Sequence, residues 1–469
     1  MDSSEALEPT ITRKGSPLEL ERSSCTGTQN LRVESAFRIE ATSSASVALT
    51  TKCANALSSW NGRCSNFTSS GSVFAITVTE PVTGLNGRHP MSNRSDILVV
   101  GGYGVVGRRI AAQLSLLFPG RVVIAGRDEK RAEALSRELG QGTCGRRIDV
   151  EDRATVGPAL EGVGTVMMCV AQRELHLLRS SIANGVAYTD ITPRLAFWQA
   201  GDEMAAEARR TGARIVLGAG LSPGISNMMA QKLAKTVGRV DRIETSILLS
   251  LGDEYGPDSL HHVLDAIAQP FNVLEDGHRH DAVPFSDGKR VRFPEPIGPR
   301  TTYLFPWSDV VYYPKTLGAR TSLGRFALEP AWAGRLIAML VGAGARRWMK
   351  SSAFLGSNRG GIDRLKRLYA DQNQFALVVT VEGNGRVMRM SLAGRRQADV
   401  TAAGAAEIAR ALAAGEVEQA GVWLPEEVIS HERFFEALAP LGWKPSIEVS
   451  QPSSERSRRD RPSRVEARP

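Results

Sequence analysis

Residues 97–114 read ILVVGGYGVVGRRIAAQL. Four apolar residues in an unbroken run suit a strand buried on both faces. A cluster of glycines follows at once, and then a helical apolar pattern that carries Arg108 and Arg109. Within the cluster Gly102, Gly104 and Gly107 stand at the spacing G-x-G-x-x-G, with Tyr103, Val105 and Val106 between them, and all six are expected cofactor contacts. In a strand–turn–helix frame these glycines have separate tasks. Gly102 permits the tight turn, Gly104 lets the backbone approach a pyrophosphate, and Gly107 lets the helix pack closely on the strand. The start of the helix adds free N–H groups and a partial positive charge. The turn therefore reads as a dinucleotide site, with a plain glycine turn as the bland alternative.

The next strand decides which dinucleotide. NAD enzymes usually place an acid at its end, to bind the ribose 2′-hydroxyl. Here the strand runs VVIAGRDEK: Gly126 stands where the acid would be, and Arg127 follows. Glycine leaves space, and the arginine fork fits a 2′-phosphate. Lys130 adds charge, while Asp128 opposes it. The expected cofactor is NADP, with a solvated surface role for Arg127 as the alternative.

From Asp96 onward strand and helix patterns alternate as far as RIVLGAG near Arg214, which indicates a Rossmann-type, doubly wound parallel sheet in an α/β chain. After Ser226 the rhythm changes to RIETSILLSLG, HDAVPF, KRVRFPEP, FALVVTVEG and RVMRMSLAG, with EGNGR as a hairpin turn. These segments predict an inserted α+β domain with a largely antiparallel sheet. From Thr401, a candidate N-cap, the pattern is helical again. The expected divisions are residues 1–92 as a disordered or misassigned extension, 93–225 as the nucleotide-binding domain, 226–398 as an inserted substrate or dimerisation domain, 399–447 as C-terminal helices returning to the first domain, and 448–469 as a disordered basic tail. Met91 lies just ahead of the first strand and is the expected native start.

Composition narrows the class. The chain has 469 residues, 42% of them hydrophobic and 23% charged, which is ordinary for a globular protein with more than one domain. Its net charge of +8 is concentrated partly in the tail SERSRRDRPSRVEARP, which lacks the aromatics usual at nucleic-acid sites. No specific nucleic-acid partner is expected. The five cysteines are irregularly spaced and form neither a disulfide framework nor a zinc site, which fits a reducing cytoplasm. The most apolar helix candidate, LIAMLVGAGA from Leu336, has about ten residues, against the roughly twenty of a membrane span. The N-terminus is acidic and is not a secretory signal.

The glycine fingerprint, AGRDEK, GVAYTDIT, GAGLSPGISNMMA and GVWLPEEVISHERFFEALAPLGW together resemble the saccharopine dehydrogenase-like family of NADP-binding oxidoreductases. The resemblance spans about residues 96–442. It implies a Rossmann domain interrupted by an α/β domain, with C-terminal helices returning to the first. It implies that Asp149 contacts the adenine and that Cys169, Val170 and Ala171 pass beside the nicotinamide ribose. Many members have a proline in that loop; this chain has Gln172 nearby instead. Asp190 and Thr192 match an acid-x-hydroxyl position after the fifth strand, and Asp190 is the catalytic candidate. Ser222 stands where many members carry an aspartate before Pro-Gly, and Ser222, Asn227 and Thr192 are the implied substrate contacts. Plainer roles stand beside these: a strand-end cap for Asp190, and turn and helix-cap roles for Ser222 and Asn227.

His261, His262 and Tyr255 add acid–base candidates or a surface pair. Trp307, Tyr312, Tyr313 and Lys315 fall in a segment that reads as loop-rich, and line either a pocket or the core. The resemblance implies hydride transfer at a carbon–nitrogen or carbonyl centre of a small polar substrate, with no metal. A non-catalytic dinucleotide sensor and an interaction protein recruited by its basic tail are the other classes.

Overall fold

The computed structural model describes residues 39–40, 64–70, 73–78, 95–170, 172–254, 257–345, 364, 368–369 and 371–450. The chain divides into two compact units, Met1–Met91 and Ser92–Pro469. In the first unit the described residues form a small antiparallel sheet from Ile39–Glu40, Cys64–Ser70 and Val73–Val78. The expectations for the remainder of residues 1–92, and those for the basic residues 451–469, lie outside the described residues.

In the second unit the run at Ile97 becomes β1 (Asp96–Val100), whose four apolar side chains are buried. Helix α1 (Val105–Leu117), β2 (Val122–Gly126), α2 (Glu129–Leu139), β3 (Cys144–Arg147) and α3 (Arg153–Ala159) follow. Then come β4 (Val163–Met168), α4 (His176–Ala183), β5 (Ala187–Asp190), α5 (Leu195–Glu203), α6 (Ala205–Thr211) and β6 (Arg214–Val216). The strands are parallel, in the order β6-β5-β4-β1-β2-β3. Reversal of strand order on either side of β1 opens a crevice at its C-terminal end, where such sheets bind ligands.

Helix α7 (Ile225–Val237) leads into the inserted domain. This contains β7 (Arg242–Ser250), α8 (Pro257–Ala268), β8 (Phe271–Glu275), β9 (His278–Ala282), β10 (Lys289–Arg292) and β11 (Pro299–Leu304). It continues with α9 (Ser308–Thr316), β12 (Thr321–Glu329), α10 (Ala331–Gly342), β13 (Gln374–Gly383) and β14 (Arg386–Arg395). The sheet order is β9-β8-β12-β7-β13-β14, with the β10–β11 hairpin attached to β12. The sheet is mixed, because β7 and β12 run parallel from Arg242↔Thr321 to Ser250↔Glu329, while its other pairings are antiparallel. Alternation along the strands sorts the two faces. Ile243, Ile247, Leu377, Val379 and Val381 enter the core that also holds α1 and α7. Glu244 and Arg325 point the other way and pair. Asn384 and Gly385 both have positive φ, 47° and 68°, as a two-residue hairpin turn between β13 and β14 requires.

The C-terminal part returns to the first sheet. Helix α11 (Gln397–Ala413) is almost wholly buried, and β15 (Gly421–Trp423) adds a seventh parallel strand beside β6 through Gly421↔Arg214. Short helices α12 (Pro425–Val428) and α13 (His431–Leu438) follow. Three details correct the sequence reading. The segment at Trp307 is a helix with Pro314 inside it, not a loop; Trp307, Tyr312 and Tyr313 are buried, and Lys315 is exposed on Asp202 at 3.4 Å. Helix α11 starts at Gln397, not Thr401, because Asp253 Oδ2 from the inserted domain accepts from the Gln397 amide at 2.9 Å. Ser446–Ser450 forms the edge strand β16 on β14, so residues 448–450 belong to the fold.

Candidate functional site

A cleft of about 760 Å3 lies over the C-terminal ends of the first sheet, with Asp265 of α8 on the inserted-domain side. Gly101, Tyr103 and Gly104 form its floor. The turn is held by backbone alone: Gly101 N and Gly102 N donate to Ala125 O at 2.8 and 3.2 Å, and Gly104 N to Gly101 O at 2.9 Å. A Cβ on Gly107 would lie 2.2 Å from Gly101 O, so only glycine brings α1 this close to β1. Gly104 caps α1 without any side-chain hydrogen bond, which leaves the first helical amides for an anion. Val105 and Val106, half-buried, start the helix. The cradle is bare backbone and fits a pyrophosphate.

The acid position is closed by a side chain. A Cβ on Gly126 would lie 2.5 Å from the Tyr103 ring. The Tyr103 hydroxyl accepts from Asp128 N at 3.0 Å, and the Arg131 guanidinium stacks on the ring at 4.5 Å. Glycine at 126 thus makes room for Tyr103, not directly for a ligand. The Asp128 carboxylate turns to α2, which it caps by accepting from Arg131 N at 3.1 Å. Arg127 lines the cleft and makes no hydrogen bond or ion pair among the described residues. Lys130 is exposed on α2 and lies outside the residues that line the cleft.

Beyond β3, Asp149 lines the cleft and accepts from Glu151 N at 3.2 Å. Val170 lines it too and packs so closely on the turn that a Cβ on Gly101 would meet its Cγ1 at 2.4 Å. Cys169 lies beside it, with its thiol pushed far up by burial and by the Asp190 charge, which disfavours the thiolate. Ala171, Tyr255 and the side chains of His261 and His262 are outside the described residues.

Asp190 is fully buried and does not reach the cleft. Its Oδ1 accepts from Thr192 N at 3.1 Å and from Gly218 N at 3.2 Å, the strand-end role that the sequence left open beside catalysis. Burial pushes its carboxyl up to about 7. Its Oδ2 has no hydrogen-bond partner among the described residues, although the Tyr188 hydroxyl, which accepts from Gln172 Nε2 at 2.9 Å, interacts with the carboxyl. Thr192 is buried in the same turn.

Ser222 and Asn227 stand at a different junction. Ser222 Oγ donates to Asp309 Oδ2 at 2.8 Å. Asp309 is fully buried and also receives Ser226 Oγ at 2.5 Å and Tyr313 Oη at 3.0 Å. Asn227 Oδ1 accepts from Gly224 N at 2.8 Å, and its Nδ2 donates to Glu426 Oε2 at 2.8 Å. The buried Glu426 carboxyl is pushed up to about 7 by desolvation. These side chains fasten the turn after β6 to α9 and α12, and none of them lines the cleft. Ser222, Asn227 and Thr192, implied as substrate contacts, are here engaged with the protein's own groups.

Sequence reasoning missed four features of the site. Tyr103 was expected to touch the cofactor, but not to fill the place opposite Gly126. Arg173 and Arg194 line the cleft from the loops after β4 and β5; neither belongs to a quoted motif. Arg109 ties α1 to both other parts of the unit, through Asp399 Oδ1 at 2.6 Å and Glu254 Oε2 at 2.8 Å. Only the arginine at the start of a phosphate-binding helix hinted at this. Among the described residues no cluster could hold a metal ion, and no helix is long and apolar enough to cross a membrane.

Comparison with known proteins agrees with this geometry. Residues 97–235 match the family described as saccharopine dehydrogenase NADP binding domain. No curated protein matches the chain. Among solved structures it is similar to apo saccharopine dehydrogenase (L-Glu forming) from Saccharomyces cerevisiae, at 14% identity and a TM-score of 0.56, covering 76% of this chain and 100% of that one. That likeness is one of fold. Two looser matches are GenD2 from gentamicin A biosynthesis in complex with NAD (14% identity, TM-score 0.36, 79% and 100% covered) and the dehydrogenase MviM from Clostridium difficile (8%, 0.35, 74% and 97%). The nucleotide-binding domain belongs to the saccharopine dehydrogenase-like NADP-binding family, and the chain is a dinucleotide-dependent oxidoreductase.

Proposed function

We propose that this saccharopine dehydrogenase-like oxidoreductase takes NADP(H) with its 2′-phosphate on Arg127 and acts on a carbon bonded to nitrogen, or on a carbonyl carbon, of a small polar substrate. The cofactor, when bound, supplies the hydride chemistry; the chain supplies position and charge. The bare amides of Gly104 and the first turn of α1 take the pyrophosphate. Asp149 and Val170 border the nucleotide on either side of the turn. Residues 226–398 carry the opposite wall through Asp265 and exclude water from the reacting end.

One observation carries the preference for the phosphorylated cofactor. Tyr103 fills the place of the acid that would hold a free 2′-hydroxyl, and Arg127, on the cleft wall, has no acceptor of its own. A fluorescence titration of the full chain with NADPH and NADH tests it. Saturable NADPH binding with NADH weaker by about tenfold or more supports the reading. Equal affinity for both removes Arg127 from it, and binding of neither removes the cofactor reading altogether.

A further inference from the structure

We infer that Arg194 anchors an anionic group of the substrate, a carboxylate or a phosphate, at the end of the cleft away from the adenosine side. The inference rests on the nucleotide-binding reading above and adds the substrate class. Strand order supplies the first argument. Arg127 and Asp149 follow β2 and β3, on one side of the turn at β1, whereas Arg194 follows β5, two strands away on the other side. Two strand spacings are about 10 Å. A dinucleotide lying across the switch point with its pyrophosphate on the turn extends its reactive half toward that side. Arg173, the third cleft arginine, follows β4, the strand next to β1, and its backbone N donates to Glu151 Oε1 at 2.8 Å.

The second argument is how Arg194 is carried. Thr192 N donates to Asp190 Oδ1 at 3.1 Å, and Trp198 Nε1 donates to Thr192 O at 3.1 Å. Ser308 Oγ from the inserted domain donates to Pro193 O. Phe197 N donates to Arg194 O at 3.1 Å. The carbonyls of Thr192, Pro193 and Arg194 each have a donor. Arg194 is half-buried and lines the cleft, and its guanidinium has no hydrogen bond or ion pair among the described residues. A partly desolvated arginine with five donors and no acceptor, on a turn fixed from three directions, is preorganised for a carboxylate or phosphate fork. Asp190 is in this view a positioning residue, acting through the turn and not on substrate.

The test titrates the NADPH-loaded full chain, read by nicotinamide fluorescence, with glutarate, inorganic phosphate and neutral glutaramide. Saturable binding of an anion without binding of glutaramide is expected; the better anion separates carboxylate from phosphate. Arg194→Ala should weaken it about tenfold or more, and Arg194→Lys should restore part, while NADPH affinity stays within about twofold. The proposal is overturned if neither anion binds, if Arg194→Ala binds them as well as the native chain, or if NADPH affinity falls in step, which would place Arg194 on the cofactor. Failure of the native chain to bind NADPH would instead sink the cofactor reading. The same anion titrations on unloaded protein, scored against Arg194→Ala, would then decide Arg194 by themselves.

Discussion

The Ser222 hydroxyl donates to Asp309 Oδ2 at 2.8 Å and so joins the turn after β6 to a helix of the inserted domain. Asp309 keeps two other hydroxyl donors, Ser226 and Tyr313, so Ser222→Ala should cost only about 1 kcal/mol. Asp309→Ala leaves buried hydroxyls without their acceptor and should cost about 3 kcal/mol or more. Urea unfolding measures both, and NADPH affinity should be unchanged in Ser222→Ala. A clear loss of affinity there would return Ser222 to the site.

Arg127→Ala should weaken NADPH binding by roughly tenfold to a hundredfold, as the loss of one charge-assisted contact implies, and leave NADH nearly unaffected. Gly126→Asp should not by itself create an NADH enzyme, because its Cβ meets the Tyr103 ring at 2.5 Å. Paired with Tyr103→Gly it has room, and the double variant should shift preference toward NADH. Paired titrations of the single and double variants give the coupling. Simple additivity would mean that Tyr103 does not guard the position.

Asp190 carries a pH signature. Its carboxyl is raised from 3.8 to about 7 by burial, so the folded state holds the proton more tightly than the unfolded chain does. The resulting stability is complete below about pH 4, declines as pH rises toward 7, and is level above that. Asp190→Asn should flatten this part of the stability–pH curve while its amide oxygen still accepts from Thr192 and Gly218. Turnover should survive in Asp190→Asn and fall in Asp190→Ala, which releases the turn. Loss of turnover in the asparagine variant would instead put the carboxylate in the chemistry.

Glu244 shows the opposite sign. Despite burial, Lys289 at 2.7 Å, Arg325 at 3.3 Å and Arg242 at 3.1 Å lower its carboxyl to about 2. Its contribution is present above about pH 4.5 and lost as pH falls toward 2. Glu244→Ala strands Arg325, whose side chain is 3% exposed, and should cost about 3–5 kcal/mol. Thermal unfolding at pH 7 checks this; a change under about 1 kcal/mol would mean that Asp287 alone satisfies the guanidinium.

The sequence by itself determined the features written in local chemistry. Glycine spacing after an apolar run fixed the phosphate turn at Gly102, Gly104 and Gly107, because backbone approach requires residues without a Cβ wherever they occur. Period and turn residues exposed the alternating first sheet and the Asn384-Gly385 hairpin for the same reason. Tertiary structure decided what depends on partners distant in the chain. It set Tyr103 against Gly126, turned Asp128 into a cap, and made β12 a parallel neighbour of β7 across two intervening hairpins. It also sent Asp190, Ser222 and Asn227 inward and left Arg194 facing the cleft. An aspartate at a strand end looks the same in sequence whether its carboxylate meets a ligand or two backbone amides. The choice rests on Gly218 and on a turn pinned by Trp198 and Ser308, groups that only the folded chain brings together.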